Sequence, residues 1–392
     1  MARALVAGAG VGGLSAALAL GAAGLDVAVY ERGKTIGEFG AGLQLTPNAT
    51  RALDKLGALN AVLERAYAPS AVVIRRARTG AVLQRLPLDD SEKRWGAPYL
   101  AIHRGDLQAA LLQTVLRAKR TRFVLERDIG GIAADGEEVV IGFKRGLLSL
   151  SERGDCAVAA DGLWSKLRQR LGLGGPNDVT PLDKTAFRAQ VPFANARESW
   201  LKPEINLHLG PDAHLVHYPL PARGVVNVVG IVRQAPPTTR GGGYDESVSG
   251  VAMAEKFLRW GEDARALLAG ADTWRAWPLF DRPPVDTYAT GRIALLGDSA
   301  HPMAPFLGQG AAMAIEDAAT LLTALQNEPD LPTAFATYSR ERAPRAGRVQ
   351  LEARKQGEIY HHRGAMALAR NVAMRTMGAK RMLARYDWLY GG

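Results

Sequence analysis

The chain has 392 residues, 47% of them hydrophobic and 22% charged, with a formal net charge of +10 and a single cysteine. This is ordinary globular usage with room for two or three domains and a large core; one thiol excludes an intramolecular disulfide framework and makes the cytoplasm the default compartment. The positive balance favours anionic molecules, but no basic stripe with interleaved aromatics marks a nucleic-acid module, and no run of about 18 strongly apolar residues marks a membrane span.

In chain order, residues 3–7 read as a buried strand, followed by a glycine turn and an Ala/Leu-rich helix from Gly13 to Ala23. This apolar start could pass for an export signal, but its patterned glycines and the polar strand end at Tyr30 and Glu31 favour strand–turn–helix. Residues 27–30 form the next strand. A helix is expected over Pro47–Leu56, strands over 71–86, and a helix over 106–118 with Asp106 at its start. Further strands are expected at 123–125, 138–143 and 156–160, the last holding Cys156 as inert core. From Pro181 to Gly270, prolines, aromatics and β-branched runs such as VVNVVGIV (225–232) predict a sheet-rich domain, with a flexible insertion at RGGGYDESVSG (240–250). A buried strand returns at 292–296, a long helix runs from Gln309 to Gln326, and the chain beyond Leu331 reads as helical. Its basic residues Arg340, Arg342, Arg345, Arg348, Arg354, Lys355, Arg375, Lys380, Arg381 and Arg385 read as a solvated face.

Gly8, Gly10 and Gly13 stand in G-x-G-x-x-G spacing between a strand and a helix, with Gly12 in the same loop. Gly8 permits the tight turn, Gly10 a close approach to a pyrophosphate, and Gly13 close helix–strand packing, while the helix start aims free N–H groups at phosphate. Glu31, 18 positions beyond Gly13, ends the second strand where a ribose 2′-hydroxyl ligand is expected, and Arg32 follows it. The pattern serves NAD and FAD alike. Asp298 directly follows a buried apolar strand, where a carboxylate is costly without donors. The stretch GQGAAM (308–313) opens a helix and presents bare N–H groups to an anion. In DAHLVHYPL (212–220), alternation puts His214, Val216 and Tyr218 on one strand face and His217 on the other.

Three segments, HRGDLQAAL (103–111), AADGLWSKLR (159–168) and ALLGDSAHPMAPFLGQGAAMAIEDA (294–318), follow the glycine motif in order. With them, from residue 3 to the tail YDWLYGG, the chain resembles the single-component flavoprotein aromatic hydroxylases, the family of p-hydroxybenzoate, salicylate, 3-hydroxybenzoate and 6-hydroxynicotinate monooxygenases. The resemblance implies an α/β fold: a Rossmann-type FAD-binding domain (1–70, 100–180 and 280–330), a β-sheet-rich substrate domain (71–99 and 181–279) and a C-terminal helical region (331–392). It implies FAD as cofactor, with NADH or NADPH as co-substrate, and hydroxylation of a hydroxybenzoate- or salicylate-like acid by dioxygen through a flavin hydroperoxide.

Carried over residue by residue, Asp298 would bind the ribityl chain of FAD, and Arg104 would reach its phosphate and ribityl region. Backbone groups of Gly308, Gly310, Ala311 and Ala312 would face the pyrimidine edge of the flavin. Asp161, in the ADG segment with Gly162 and Arg168, and Gly42 complete the cofactor set; a salt-bridged aspartate and a surface arginine are the plain alternative for Asp161 and Arg168. His214 and Tyr218 match a substrate-contacting histidine and tyrosine, His214 as base for a phenol proton and Tyr218 as positioner. Gln44 and Pro305 would line the substrate site; Gln44 falls where the 6-hydroxynicotinate enzyme has histidine, which argues against that substrate. His103 and His301 read as structural. His361 and His362 diverge on a helix, and no metal site is expected.

No second G-x-G-x-x-G unit, no C-x₄-C pair and no W-x-W-x-I-P string is present, which sets aside disulfide reductases and halogenases. Three readings stay open at this point: the aromatic-acid hydroxylase, a same-fold monooxygenase or epoxidase acting on another ring, and a non-catalytic FAD-binding sensor. A homodimer is compatible with all three.

Overall fold

In the computed structural model, which describes residues 2–37, 40–145, 148–175, 178–234 and 246–391, Arg3–Ala7 is a strand buried from Ala4 onward. It pairs in parallel with Asp26–Tyr30 and with Cys156–Ala159; Thr121–Val124 and Ile293–Leu295 extend the sheet on either side, and Ala289–Thr290 pairs antiparallel at one edge. Short apolar strands such as ALVA and CAVA carry no polar face, so they are stable only where helices or further strands cover them. Helix Val11–Ala22 lies on this nucleotide sheet and packs in turn against helices Arg104–Arg117 and Gly310–Asn327.

A three-stranded antiparallel sheet, Ile129–Asp135, Glu138–Arg145 and Leu148–Gly154, flanks it, with Tyr30 and Phe143 in ring contact at 5.9 Å. Only its middle strand is legible in the sequence, because glycine in the first and charge in the third blur their alternation.

A second, eight-stranded sheet runs in the order Glu246–Ser249, Thr273–Asp281, Thr180–Pro192, Val225–Arg233, Ala213–Leu220, Glu204–Gly210, Ala71–Arg76, Val82–Pro87. Its pairs are antiparallel except Glu204–Leu209 beside Ala71–Arg76. The register sets His214 opposite Ile231 and Tyr218 opposite Asn227. One face of this pocket sheet buries a separate core that includes Phe187, Leu215, Phe257, Trp260 and Trp274. The flexible insertion expected at 240–250 is corrected in part: Glu246–Ser249 pairs as the edge strand, and Gly250 begins a helix to Glu255. Residues 240–245 lie outside the described residues.

The chain then forms a 30-residue helix, Leu331–Tyr360, capped by the Asp330 side chain, followed by helices Gly364–Met377, Ala379–Ala384 and Asp387–Tyr390. The solvated-face reading holds for Arg340, Lys355, Arg375, Lys380, Arg381 and Arg385, which are exposed. It fails for Arg342, Arg345 and Arg354. Arg342 is 3% exposed and lies between Glu316 and Asp317, Arg345 pairs with Glu316, and Arg354 pairs with Asp281. Opposite charges on neighbouring elements drew these side chains inward. Among the described residues, no helix is long and apolar enough to cross a membrane.

Candidate active site

The glycine loop is close-packed. Gly8 has φ 98°, and a Cβ on it would stand 2.5 Å from the Ala160 carbonyl oxygen; one on Gly13 would stand 1.9 Å from the Gly8 oxygen. Gly12 meets Leu296 and Ala314, and Gly297 meets Ala314 and Gly12, so the starts of helices Val11–Ala22 and Gly310–Asn327 are brought together by missing side chains. Neither helix has a side-chain cap: Gly10 and Gln309 hold the N-cap positions without one. Two converging, uncapped helix starts form an anion cradle.

Glu31 accepts from the Ala9 N–H at 2.9 Å and the Gly33 N–H at 2.8 Å, tying the end of its strand to the glycine loop; Arg32 beside it is exposed. Gln108, buried on helix Arg104–Arg117, donates to the Ala9 carbonyl at 2.9 Å and steadies the same loop. His103 caps that helix by accepting from the Gly105 N–H, as packing rather than chemistry. Arg104 lies against Gly40, where a Cβ would meet the Arg104 Cβ at 2.7 Å.

Asp161 accepts from Ser165 Oγ at 2.6 Å and the Lys166 N–H at 3.0 Å, and so holds Ser165, whose side chain caps the short helix Lys166–Arg170 by accepting from the Arg168 N–H. Burial raises its carboxyl, against these hydrogen bonds. Arg168 is no surface arginine. It is fully buried and donates to the carbonyls of Leu173, Ser299 and Ala300, gripping the segment after Asp298. Burial, then the Arg282 charge, pulls its guanidinium down to about 10.

The carboxylate after the buried strand Ile293–Leu295 is also corrected. Asp298 is exposed, so no desolvation cost demands a partner for it. It stands at the open side of the cradle, 4.0 Å from where a Cβ on Gly310 would be. The buried acid of this region is Asp317, which the sequence reading did not single out. It accepts from the Gly297 N–H at 3.0 Å, meets His301 Nε2 at 2.5 Å and pairs with Arg342 at 2.7 Å. Burial pushes its carboxyl up, but His301, Arg342 and the Gly297 N–H overrule that and hold it at about 2. Glu316 beside it binds Arg342, Arg345 and the Asn48 amide, and Asn48 in turn meets Gln309, the N-cap residue. A Glu-Asp pair inside the apolar helix sequence AAMAIEDAATLL was the available signal: charges there need buried partners.

Beyond Gly308 opens a cavity of about 430 Å³. Gln44, Tyr99, His214, Val216 and the loop Pro305–Gly308 line its inner end; methionines and leucines of the pocket sheet and C-terminal helices line the rest. Tyr99 Oη donates to Gln44 Oε1 at 2.6 Å, which leaves the Gln44 amide N–H groups as donors for the cavity. His214 is buried, and Phe306 and Tyr360 flank its ring at 5.7 and 5.2 Å. Its Nδ1 meets His361 Nε2 at 2.8 Å. Burial, then His361, lowers the His214 imidazole well below its ordinary value. His361 therefore turns into the site at the end of its helix, which its neighbour-on-a-helix reading gave no reason to expect.

Tyr218, on the same strand face as His214, is not on the cavity wall. It lies under Gly42, where a Cβ would stand 2.7 Å from the phenol oxygen, and Asn227 beside it accepts from the Gly42 N–H at 2.6 Å. Burial, with Tyr67 and Tyr99 nearby, raises the Tyr218 phenol well above its ordinary value, so it stays protonated. Among the described residues no group of three or more His, Cys, Asp or Glu side chains could hold a metal.

The family model described as FAD binding domain matches residues 1–353. The chain is 36% identical over 391 residues, 99% of this chain and 95% of the other, to a 3-hydroxybenzoate 6-hydroxylase of Polaromonas naphthalenivorans. It is 33% identical over 394 residues, 99% and 95% of the two chains, to a 3-amino-4-hydroxybenzoate 2-monooxygenase of Streptomyces cremeus. Among solved structures, Klebsiella pneumoniae HpxO complexed with FAD and uric acid superposes with a TM-score of 0.85 at 26% identity, covering 99% of this chain and 96% of that one.

Proposed function

The chain belongs to the FAD-binding-domain family of single-component flavoprotein aromatic hydroxylases, and on that premise we propose that its substrate is a phenolic aromatic acid whose ring hydroxyl meets His214. Dioxygen and a nicotinamide nucleotide are the proposed co-substrates. The observation that carries the reading is the placement of His214: it is buried on the wall of the cavity next to the loop Pro305–Gly308, with Nδ1 already engaged. Only Nε2 remains to face a ligand.

The residues present suit FAD. Uncapped helix starts at Gly10 and Gln309, close-packed Gly8, Gly12 and Gly13, Glu31 at its strand end and the open carboxylate of Asp298 form one continuous cradle for a dinucleotide. Gly42, Arg104 and Asp161 border it in this reading, and Gly308, Gly310, Ala311 and Ala312 supply backbone groups that stabilise negative charge. When bound, FAD supplies the redox chemistry that activates dioxygen.

The chain's own contribution is binding, orientation, dryness and proton handling. His214 Nε2 accepts the phenol proton and so enriches the ring in electrons. The Gln44 amide donates to the acid or hydroxyl oxygen. Tyr218, held protonated, acts through Gly42 as a positioning residue beside the flavin edge. Apolar walls exclude water from the reacting centre. The relatives' names cover two differently substituted benzoates, and the HpxO structure holds urate, so the ring pattern is set by the pocket rather than by the family.

The test is a panel of hydroxybenzoates and hydroxypyridines, with NADH and NADPH oxidation and oxygen uptake measured together. A phenolic acid should accelerate nicotinamide oxidation, and less peroxide should appear than oxygen is consumed. The reading is overturned if no ring compound accelerates oxidation, or if all the oxygen is recovered as peroxide across the panel.

A further inference from the structure

His361 ends the helix Leu331–Tyr360 with one ring nitrogen against His214 and the other buried without a hydrogen-bond partner. The hydrogen bond made by this ring's side chain is the one to His214. The pairing is also built from the backbone. Asp212, at φ 55°, turns the chain two residues before His214, and its N–H donates to the His361 carbonyl at 3.3 Å. A non-glycine residue in that conformation costs about 1 kcal/mol or more and persists only where its surroundings hold it. Phe306 touches both imidazoles, and it fits there because residue 357 of the helix is glycine, whose Cβ would meet the Phe306 ring at 2.6 Å.

We propose that His361 is a proton-relay residue: it sets the tautomer of His214 and takes up, through His214, the proton that a phenolic substrate releases on binding. The proposal rests on the reading of His214 as the base.

Of two neutral imidazoles joined Nδ1 to Nε2, one donates and one accepts. When His361 Nε2 accepts, His214 carries its proton on Nδ1 and offers a bare Nε2 to the cavity, which is the form a base needs. When His361 donates, His214 offers an N–H instead and cannot take a proton. The balanced transfer starts from the first form. The phenol O–H breaks and Nε2 of His214 gains the proton. The proton on Nδ1 of His214 passes to Nε2 of His361. The products are a bound phenolate, a neutral His214 of the other tautomer, and a His361 imidazolium.

The surroundings favour the charge on the outer ring. His214 has aromatic neighbours, whereas His361 sits at the carbonyl end of a long helix, where a cation is stabilised by a few tenths to 1 kcal/mol. Around His361 stand Asp212 from the turn before His214 and Glu358 from its own helix, which favour the cation, and Lys184 and Arg233 from the neighbouring strands, which oppose it. Asp183 pairs with both of those cations, and Arg363 pairs with Asp212. Burial, then Lys184 and Arg233, holds the resting His361 imidazole down to about 4 against Glu358 and Asp212, so the pair is neutral before substrate arrives. The negative charge of the phenolate formed in the transfer, next to His214, is what tips the balance.

The experiment uses the FAD-loaded protein with fluorinated 3-hydroxybenzoate as probe. Fluorine NMR against pH reads whether the bound phenol is ionised, without turnover. In His361→Phe, which keeps a ring but no nitrogen, and His361→Gln, which can accept from His214 but cannot carry the proton, the apparent ionisation of the bound phenol should rise by about one pH unit or more, a tenfold loss of phenolate at fixed pH. The flavin spectrum and probe affinity should stay within about twofold. In turnover with the same probe, a solvent-isotope proton inventory should change from curved, with two protons in flight, to linear. If both His361 variants keep the wild-type ionisation and inventory while His214→Ala moves them, the relay is wrong and the base reading stands. If His214→Ala moves neither, or the probe's signal does not respond to the protein, the parent reading falls with it.

Discussion

Asp317 and Glu316, in the nucleotide-binding half, lie buried as a charged cluster around Arg342; His208, His214, His217 and His361, in the pocket half, lie buried as rings that the surroundings keep neutral. Both halves hide polar groups, but by opposite means. A buried ion cluster fixes one geometry at the cost of desolvating every member, and removing one partner strands the others. A neutral histidine costs less to bury and can change state, at the expense of sensitivity to acid. The half that holds the dinucleotide cradle hides its polar groups as paired charges, and the half that holds the pocket hides them as neutral rings that acid can charge.

Removing a buried charge should separate the two halves most sharply. Arg342→Met leaves Glu316 and Asp317 buried without their shared cation and should cost about 3–5 kcal/mol in urea unfolding. A loss below about 1 kcal/mol would mean that the cluster is not the framework of that half. Next in size, Gly13→Ala forces a methyl to within 1.9 Å of the Gly8 oxygen and should weaken FAD binding at least about a hundredfold by equilibrium titration, while the pocket half still folds.

Acid separates the halves in the other direction. The four histidines are neutral when folded: burial holds His208 and His361 down to about 4 and lowers His214 and His217 well below the ordinary value, while unfolded histidine sits at about 6.5, so the unfolded chain takes up protons first as pH falls below about 6.5. Their stability contribution is complete above about pH 6.5 and declines toward pH 4, by about 1 kcal/mol for each ring between pH 6.5 and 5.5. Asp317, held at about 2, loses its contribution only as pH falls from about 4 toward 2. Urea midpoints followed by the tryptophans of the pocket core, Trp200, Trp260 and Trp274, should therefore drop by pH 5, and the double variant His208→Phe/His217→Leu should remove about half of that slope. An unchanged slope in the variant would place the acid sensitivity elsewhere. The smallest effect is at Cys156, fully buried in the middle of the nucleotide sheet, its thiol pushed up to about 12 by burial and Asp155. A disulfide reagent at pH 7.5 should leave it untouched over hours; rapid labelling without urea would show that the nucleotide sheet opens without global unfolding.

Much of the nucleotide half is legible in the sequence because its signals are local. The glycine spacing, the apolar strands and Glu31 are read within about thirty residues, and backbone packing demands those residue types. The long-range polar clusters are not legible. Nothing near Arg342 in the chain says that Glu316 will face it, and the strand before Asp298 points to that residue as the costly buried acid, although Asp317, nineteen residues further on, holds that place. His214 on its strand face is readable by alternation, but its partner 147 positions away is not, because adjacency to His362 says only that the two rings diverge on a helix. Tyr218 shares the face of His214 yet sits under Gly42: alternation gives the side of a sheet, not what covers each stretch of it.

The helix Leu331–Tyr360 joins the two regimes. Arg342 and Gln350 on it hold Asp317 and the Pro302 carbonyl, and His361 just past its end meets His214. Each residue of an α-helix advances the chain by about 1.5 Å and about 100°. One residue inserted or deleted between Gln350 and His361 would swing the relay ring to another side of the rod while the cofactor loop stayed in place. The segment should therefore tolerate many substitutions on its exposed face and almost no change in length. Among descendants of this chain it would act as a ruler, drifting in composition while its count of residues stays fixed.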